Sequence, residues 1–302
     1  MSPFIPPPDV MDTDIALDSA ALDGVIVGQL LGDLVADREL VETTASTNAD
    51  LLERARRSAP VRPVLRVAQR QIQGRGRRGR RWHGGGAGSL LFSLALPWGR
   101  DAAGSAAVTL ACGVAAAAAV QDAIGVQRAR ILVKWPNDLL VDGGKLAGIL
   151  VELAEDRRGA RTLVIGMGIN LCADEALRDR IAVDVGASDA APVAVADLAS
   201  LVGRSTVLGQ RERWLARLAR ALLTAAQRYE REGFAGGPAA FAACCAYRDL
   251  AVEVHRGGGP ATAGIVRGVD AQGRLLLESG GVLQLVNSGE ISVRVPGAGG
   301  AP

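Results

Sequence analysis

The segment Gln71–Gly88 most constrains how this 302-residue chain can fold, because seven of its eighteen residues are glycines. So much glycine is incompatible with the interior of a regular helix or strand. The segments on either side, Val64–Gln69 and Ser89–Leu96, have the apolar character of sheet strands. The sequence therefore predicts two strands joined by a long irregular loop.

The same loop lies in the most cationic part of the chain. Residues Arg54–Arg100 contain twelve arginines and no acidic residue, although the whole chain has 34 basic and 32 acidic residues and a formal charge of +2. Arginine pairs with phosphate oxygens through two parallel hydrogen bonds, and glycines permit close main-chain approach. The pattern is typical of a nucleotide-phosphate site, but contact with RNA or DNA and a solvated cationic loop remain alternatives. The low aromatic content of 3% disfavours nucleic acid, since it leaves few surfaces for base stacking.

Two familiar phosphate-binding motifs do not account for this loop. Gly74, Gly76 and Gly79 match G-x-G-x-x-G, but the next residues, from Trp82 onward, include three consecutive glycines instead of a helix. A dinucleotide-binding fingerprint requires that helix. Lys145 also lacks the upstream glycine of a Walker A loop.

Only two lysines occur in the chain, Lys134 and Lys145. Lysine is a compact point charge that arginine does not replace in a tight site. Lys134, at the start of Lys134–Asp138, is a candidate clamp for a carboxylate or phosphate. An equally weighted alternative is a structural lysine whose partner is Asp138 or Glu152.

Two strands that follow combine glycine with large apolar residues. Lys145–Glu152 suits the wall of an apolar ligand pocket, although a plain core strand is more common. In Arg161–Leu171, Gly166 and Gly168 indicate close approach of a ligand or another part of the chain, or a bulge.

The remaining pattern predicts an α/β region followed by a small β module. Ser46-Thr47-Asn48 has the polar character of a helix start, and Asp142-Gly143-Gly144 predicts a tight hairpin. Helices are predicted at Leu17–Leu34, Ser105–Ile124 and Ala194–Glu232. After Tyr247, short β runs at roughly ten-residue spacing favour an antiparallel barrel, and they are Ala251–His255, Thr262–Val269, Gly273–Glu278, Val282–Val286 and Glu290–Val295.

Composition excludes several other classes of protein. No run of 18 apolar residues predicts a membrane span, and the first residues lack the features of a secretory signal. Four cysteines without a C-x-x-C pair and only two histidines make a zinc site or a Ser-His-Asp or Cys-His arrangement improbable. We therefore expect a reduced, cytoplasmic protein that binds and orients anions and does not supply a nucleophile.

These motifs, in this order, resemble the biotin protein ligases, the biotin–[acetyl-CoA-carboxylase] ligases. The resemblance covers roughly residues 40 to 295. It rests on Ser46–Asn48, Gln71–Trp82, Lys134–Asp138, Gly144–Glu152, Gly166–Asn170 and Gly289–Arg294.

The resemblance implies a fold and an activity. The fold is α+β, with a class II synthetase-like mixed-sheet domain at 15–247 and a small SH3-like β barrel at 248–296, between a flexible N-terminus at 1–14 and a flexible tail at 297–302. The implied activity joins biotin and ATP into biotinoyl-5′-AMP and passes the biotinoyl group to a lysine of a biotin carboxyl carrier protein or equivalent domain. Mg²⁺ is expected with ATP, and its ligands are unknown; Asp138 is only a candidate.

The resemblance also assigns roles to residues of this sequence. Ser46, Thr47 and Asn48, with Gln71 nearby, would bind the biotin head group. The residues implied along the biotin carboxylate, the α-phosphate and the adenylate are Gly74, Arg75, Gly76, Arg77, Trp82 and Lys134, of which Arg75, Arg77 and Lys134 would be catalytic. Those implied for the pocket wall and its end are Gly148, Ile149, Gly168, Ile169 and Asn170.

The chain departs from the family pattern in two places. Residues 83–89 lack the Ser-Pro and Asn that are usual after the tryptophan, and the DNA-binding domain of bifunctional repressors is not expected, so neither DNA nor membrane is an expected partner. Alternative functions are a non-catalytic nucleic-acid-binding module and a lipoate–protein ligase of the same superfamily.

Overall fold

The structure is a computed structural model that describes residues 21–100, 105–125, 129–175, 177–179, 181, 194–256, 261–287 and 291–294. The flexible ends predicted at 1–14 and 297–302 lie outside the described residues.

A seven-stranded mixed sheet forms the centre of the larger part of the protein. Its strands follow the order β1-β2-β3-β7-β6-β5-β4, with β1 and β2 parallel and every other neighbouring pair antiparallel. The strands are β1 (Asp37–Thr44), β2 (Val64–Gln71), β3 (Ser89–Trp98), β4 (Leu132–Lys134), β5 (Asp138–Val141), β6 (Gly144–Glu155) and β7 (Arg161–Asn170).

Seven helices are described around the two sheets. Asp23 caps the N-terminus of α1, since its carboxylate accepts hydrogen bonds from the backbone N–H groups of Val25 and Ile26. The helices are α1 (Gly24–Leu31), α2 (Thr47–Arg57), α3 (Ser105–Ile124), α4 (Ala199–Val202), α5 (Arg204–Leu208), α6 (Arg211–Glu232) and α7 (Gly237–Cys244).

The two faces of the large sheet serve different purposes. Successive strand residues point to opposite faces. In β7, Ile165 and Met167 belong to the main core with α3 and α6, whereas Val164 belongs to a smaller cluster with Leu51 of α2. The even-numbered positions of β7 therefore face α2, and its odd-numbered positions face the main core.

The predicted hairpin between β5 and β6 is confirmed. Asp142 and Gly143 both have positive φ, at 48° and 77°. Positive φ at both central residues is the requirement of the tight turn whose twist matches a hairpin.

The C-terminal strands form a five-stranded antiparallel sheet of order β11-β10-β9-β8-β12, which agrees with the predicted β module. Trp135 joins it to the large sheet, because its buried indole N–H donates to the carbonyl of Gly273 over 3.0 Å. The fold class α+β is thus confirmed, whereas the boundary at 247/248 stays a prediction. The strands are β8 (Ala251–Arg256), β9 (Thr262–Val269), β10 (Leu275–Ser279), β11 (Val282–Val286) and β12 (Ile291–Arg294).

The single helix predicted over Ala194–Glu232 is wrong. Val195 forms a β-bridge with Lys145, and the first helix begins only at Ala199. Gly203, with φ at 89°, separates α4 from α5, and a second break at Gly209 precedes α6. The apolar residues keep helical spacing across these breaks, so the apolar pattern alone does not indicate where each helix ends.

The alanine-rich helix α3 has the length and hydropathy of a membrane span over Ala106–Ile124. It packs against β6 and α6, and Leu110 and Val120 are fully buried in the main core. Its apolar character is therefore that of a core helix.

Candidate active site

A cavity of about 180 Å³ opens on the α2 side of the large sheet. It lies between the N-terminus of α2, the loop after β2 and the middle of β6 and β7. The residues at its surface include Ser46, Thr47, Asn48, Gln71, Arg75, Gly76, Arg77, Trp82, Lys134, Gly148, Ile149 and Gly168, which are twelve of the residues that the resemblance implied.

The first turn of α2 supplies the polar end of the cavity. Ser46 is the N-cap residue, with extended backbone and a hydroxyl that accepts from the N–H of Ala49. Thr47 and Asn48 follow as the first helical residues, both buried. The Thr47 N–H donates to Gln71 Oε1 over 2.7 Å. The capping geometry thus fixes three polar side chains at one point above the sheet.

A buried hydrogen-bond chain continues from Thr47 across the sheet. Thr47 Oγ1 lies 2.7 Å from Ser93 Oγ, Ser93 donates to Asn48 Oδ1 over 2.9 Å, and Asn48 Nδ2 donates to Glu152 Oε2 over 2.7 Å. These four side chains, Thr47, Ser93, Asn48 and Glu152, come from α2, β3 and β6. Buried polar groups that are satisfied in this way hold one another in a single arrangement.

Gly148, Gly166 and Gly168, here called the glycine floor, let side chains lie directly on β6 and β7. A Cβ on Gly166 would stand 2.4 Å from Asn48 Oδ1, which is far inside van der Waals contact. The pairing of β7 with β3 and β6 is regular at these positions. The strand glycines therefore mark close approach of side chains, and the alternative of a bulge is excluded.

Trp82 occupies the rest of the glycine floor. Cβ atoms on Gly168 and Gly148 would lie 2.2 Å and 3.0 Å from its ring. The loop reaches this position by folding back on itself: Trp82 N–H donates to Gly74 O over 2.9 Å, and Gly76 N–H donates to Arg80 O over 2.7 Å. The loop has only two short 3₁₀ turns, at 77–79 and 86–88, in agreement with the prediction that it is irregular.

Both lysines lie at the cavity, with different contacts. Lys145 Nζ is 2.8 Å from Asp138 Oδ1 and 5.3 Å from the centre of a Trp82 ring. Lys134 Nζ lies 5.7 Å from the ring centre of Tyr247. Burial, followed by the charge of Asp138, raises the pKa of the Tyr247 hydroxyl, so this ring stays neutral beside the ammonium.

Four arginines of the loop surround the cavity mouth, and they are Arg75, Arg77, Arg80 and Arg81. Arg75 Nη2 reaches Glu152 Oε1 over 3.3 Å. Its side chain is 48% exposed, so the ion pair is a weak surface one that an incoming anion can replace.

Three of the implied residues do not line the cavity. Gly74 is buried below the loop, where a Cβ would meet the Trp82 carbonyl at 2.4 Å. Ile169 belongs to the main core, because odd-numbered positions of β7 face away from α2. Asn170 Nδ2 donates to the carbonyls of Lys145 and Ala196. These three residues contact the loop, the core and the neighbouring backbone, and they do not line the cavity.

Sequence reasoning missed Ser93 and undervalued Glu152. Ser93 is fully buried on β3 opposite Gly166, and its signal was a lone hydroxyl within an apolar strand. The sequence offered Glu152 only as an alternative partner of Lys134, and its carboxylate accepts hydrogen bonds from Asn48 and Arg75.

The described residues offer neither a thiol nucleophile nor a carboxylate cage at this site. No cysteine or histidine lines the cavity in the described part of the chain. Elsewhere, burial raises the pKa of Cys112 to about 12 and that of Cys244 to about 11, so both stay protonated at neutral pH. Within the described ranges, no three His, Cys, Asp or Glu side chains cluster as metal ligands.

Comparison with known families gives two matches along the chain. The model of the biotin/lipoate A/B protein ligase family matches residues 40–170, and the model of the biotin protein ligase C-terminal domain matches residues 251–294.

Two relatives in the matches align with most of the chain. A protein of Mycobacterium tuberculosis named biotin–[acetyl-CoA-carboxylase] ligase is 31% identical over 287 residues, which are 91% of this chain and 95% of that protein. The bifunctional ligase/repressor BirA of Escherichia coli is 32% identical over 89% of this chain and 77% of its own length.

Solved structures share the same fold. The biotin protein ligase of Aquifex aeolicus in complex with biotin and ATP superposes with a TM-score of 0.65 at 21% identity, covering 86% of this chain and 99% of that one.

Proposed function

Because this chain belongs to the biotin protein ligase family, we propose that it activates biotin with ATP and transfers the biotinoyl group to a lysine of a carrier protein. In the first step the biotin carboxylate attacks the α-phosphorus of ATP, the bond to pyrophosphate breaks, and biotinoyl-5′-AMP forms. In the second step the carrier lysine amine attacks the acyl carbon, an amide forms, AMP leaves, and the amine loses its proton to solvent. The nucleophile comes from a substrate at each step, so the enzyme has to supply positioning and charge stabilisation.

The observation that carries this proposal is the joining of a polar pocket to a cationic mouth in one cavity. Ser46, Thr47 and Asn48 at the N-terminus of α2 present hydroxyl and amide groups to a head group. Arg75 and Arg77 stand at the mouth, where the carboxylate and the α-phosphate would meet.

In this arrangement Lys134 would contact the carboxylate and phosphate oxygens as the mixed anhydride forms. Lys134 is a half-buried residue whose ammonium lies beside the neutral ring of Tyr247, where a point charge is screened less than in bulk water. Lys145 is held in its ion pair with Asp138 and is assigned to positioning of the pocket strand.

The acyl chain would run over the glycine floor. Trp82 now covers Gly148 and Gly168, so it has to leave this position before the chain can contact them. A tryptophan displaced toward the mouth would cover the adenylate and shield it from water, as the resemblance implied.

A lipoate–protein ligase is the second candidate within the superfamily. Biotin carries a cyclic urea with two N–H donors and a carbonyl, whereas the dithiolane ring of lipoate has no strong hydrogen-bonding group. The Thr47 hydroxyl, which is already bonded to Ser93, keeps lone pairs that can accept from a urea N–H, whereas a dithiolane offers it no donor. The site therefore favours biotin.

Three finer points belong to the proposal. The acceptor is a biotin carboxyl carrier protein or an equivalent domain, in the cytoplasm. Mg²⁺ accompanies ATP as part of the nucleotide substrate, because the nearest carboxylates, Asp138 and Glu152, are occupied by Lys145, Asn48 and Arg75. Nucleic acid is not an expected partner.

One experiment separates the candidates. Pyrophosphate release is measured with ATP and either biotin or lipoate, and then biotin transfer to a purified carrier domain is followed by mass spectrometry. Release that depends on biotin supports the proposal, and release that depends only on lipoate replaces it with the alternative. Absence of both, together with RNA or DNA binding that falls steeply with salt, would favour the nucleic-acid-binding module.

A further inference from the structure

Glu152 lies at the end of the hydrogen-bond chain and is not itself among the residues that line the cavity. It is fixed by Asn48 on one oxygen and by Arg75 on the other. An ionised carboxylate can only accept hydrogen bonds, so its neighbour on the chain has to donate.

That requirement determines the orientation of every further member. The Asn48 amide must turn its NH₂ group to Glu152, which places Oδ1 toward Ser93. Ser93 then donates its single hydroxyl hydrogen to Asn48, and it can only accept from Thr47. Thr47 therefore donates its own hydrogen to Ser93, over the 2.7 Å between their oxygens.

Gln71 is compatible with this direction. Its Oε1 must face the Thr47 N–H, from which it accepts over 2.7 Å. The contact of Oε1 with the Thr47 hydroxyl is longer, at 3.2 Å, so Ser93 is the better acceptor for the hydroxyl hydrogen. The lone pairs of Thr47 Oγ1 are then available to a donor in the cavity.

We propose that Glu152 is a positioning residue for ligand recognition: it orients the chain through Asn48 and Ser93 so that the Thr47 hydroxyl accepts a hydrogen bond from a ligand N–H. This inference rests on the proposed function, in which the donor is a urea N–H of biotin. Without an obligate acceptor at position 152 the Asn48 amide can rotate, the chain can reverse, and Thr47 then points a hydrogen at the ligand N–H.

The test is a double-mutant cycle on biotin affinity, measured by calorimetry on the full chain. Glu152→Gln keeps shape but can donate as well as accept, and we expect it to raise the Kd for biotin about tenfold, which corresponds to roughly 1.4 kcal/mol. The KM for ATP should change less than twofold, since the chain is directed at the head group. In a Ser93→Ala background, where the chain is cut, Glu152→Gln should change the Kd by less than twofold.

A second cycle separates the chain from the Arg75 contact. In an Arg75→Ala background Glu152→Gln should keep its tenfold effect, because Arg75 is not a member of the chain. Loss of the effect there, or full persistence of the effect in Ser93→Ala, would overturn the inference. If Glu152→Gln does not fold, Glu152→Ala also removes the obligate acceptor and should show the same dependence on Ser93.

A control that changes the ligand distinguishes failure of the inference about Glu152 from failure of the proposed function. A cyclic-carbonate analogue of biotin, with oxygen in place of both urea nitrogens, lacks the donors, and Glu152→Gln, in which Thr47 can donate, should bind it at least as tightly as wild type does. Weaker binding of the analogue by Glu152→Gln would contradict the proposal. If the wild type neither binds biotin nor releases pyrophosphate with it, both the proposed function and the role of Glu152 are refuted. If the wild type turns over biotin but the effects of Glu152→Gln and Ser93→Ala on the Kd are independent, only the role of Glu152 is refuted.

Discussion

Gly168→Ala tests whether the glycine floor exists to seat Trp82. The new Cβ would lie 2.2 Å from Cε2 and 2.4 Å from Nε1 of the indole. Carbon atoms in contact are separated by about 3.5 Å or more, so the ring has to retreat by about 1.3 Å or leave.

Two estimates of the loss agree. Overpacking by one methyl group in a tight site costs about 1–3 kcal/mol. If the ring leaves, it exposes one face, roughly 100 Å² of apolar surface, which is worth about 2.5 kcal/mol at 25 cal/mol per Å². We therefore expect Gly168→Ala to lower the free energy of unfolding by about 2 kcal/mol.

Urea unfolding followed by circular dichroism measures this loss without using Trp82 as the probe. Gly113→Ala on α3 is the matched control, because its Cβ would meet Val133 at an ordinary 3.5 Å, and it should be neutral or slightly stabilising. In a Trp82→Ala background the loss from Gly168→Ala should fall below about 0.5 kcal/mol. An equal loss with and without the indole would show that the glycine is needed for another reason.

Three further predictions concern the lysines, the contact between the sheets and the loop. Lys134→Ala should slow adenylate formation about 10²–10³-fold, the effect of removing one transition-state donor, and Lys145→Ala should slow it less. The rates of the pyrophosphate burst give this ranking, and the reverse order would transfer the role to Lys145. Trp135→Phe should lower the free energy of unfolding by about 1–3 kcal/mol, because the buried carbonyl of Gly273 loses its donor; an unchanged urea midpoint would contradict this. Arg77→Gly should leave circular dichroism unchanged but speed release of the adenylate about tenfold to hundredfold, since a charge-assisted hydrogen bond is lost, and equal release rates would remove Arg77 from the phosphate site.

Much of the fold could be predicted from the sequence because local rules and tertiary packing agree there. The strand before the loop, the buried strand after it and the Asp142-Gly143 turn all lie where apolar runs and turn chemistry place them. The breaks between α4, α5 and α6 could not be predicted in this way. These breaks fall at Gly203 and Gly209. The late start of α4 follows the bridge from Val195 to Lys145, a contact between distant parts of the chain.

The candidate site could likewise be predicted only in part from the sequence. Polar residues at a helix start and glycines beside large apolar residues predicted which segments meet, but not which face of each strand meets them. Ile169 and Gly168 are neighbours in sequence, yet one lies in the core and the other under the indole. Ser93 had no motif to identify it, because its role exists only once β3 lies beside β7.

The alternation along β7 has a consequence for engineering this protein. Gly166 and Gly168, which face α2, line the cavity, whereas Ile165 and Ile169 lie in the core and do not line it. Libraries restricted to Ile165 and Ile169 would change the packing of the core while leaving the residues that line the cavity unchanged. A one-residue insertion within the strand would exchange the two sets at once, so length changes belong in the turn at 156–160, between β6 and β7.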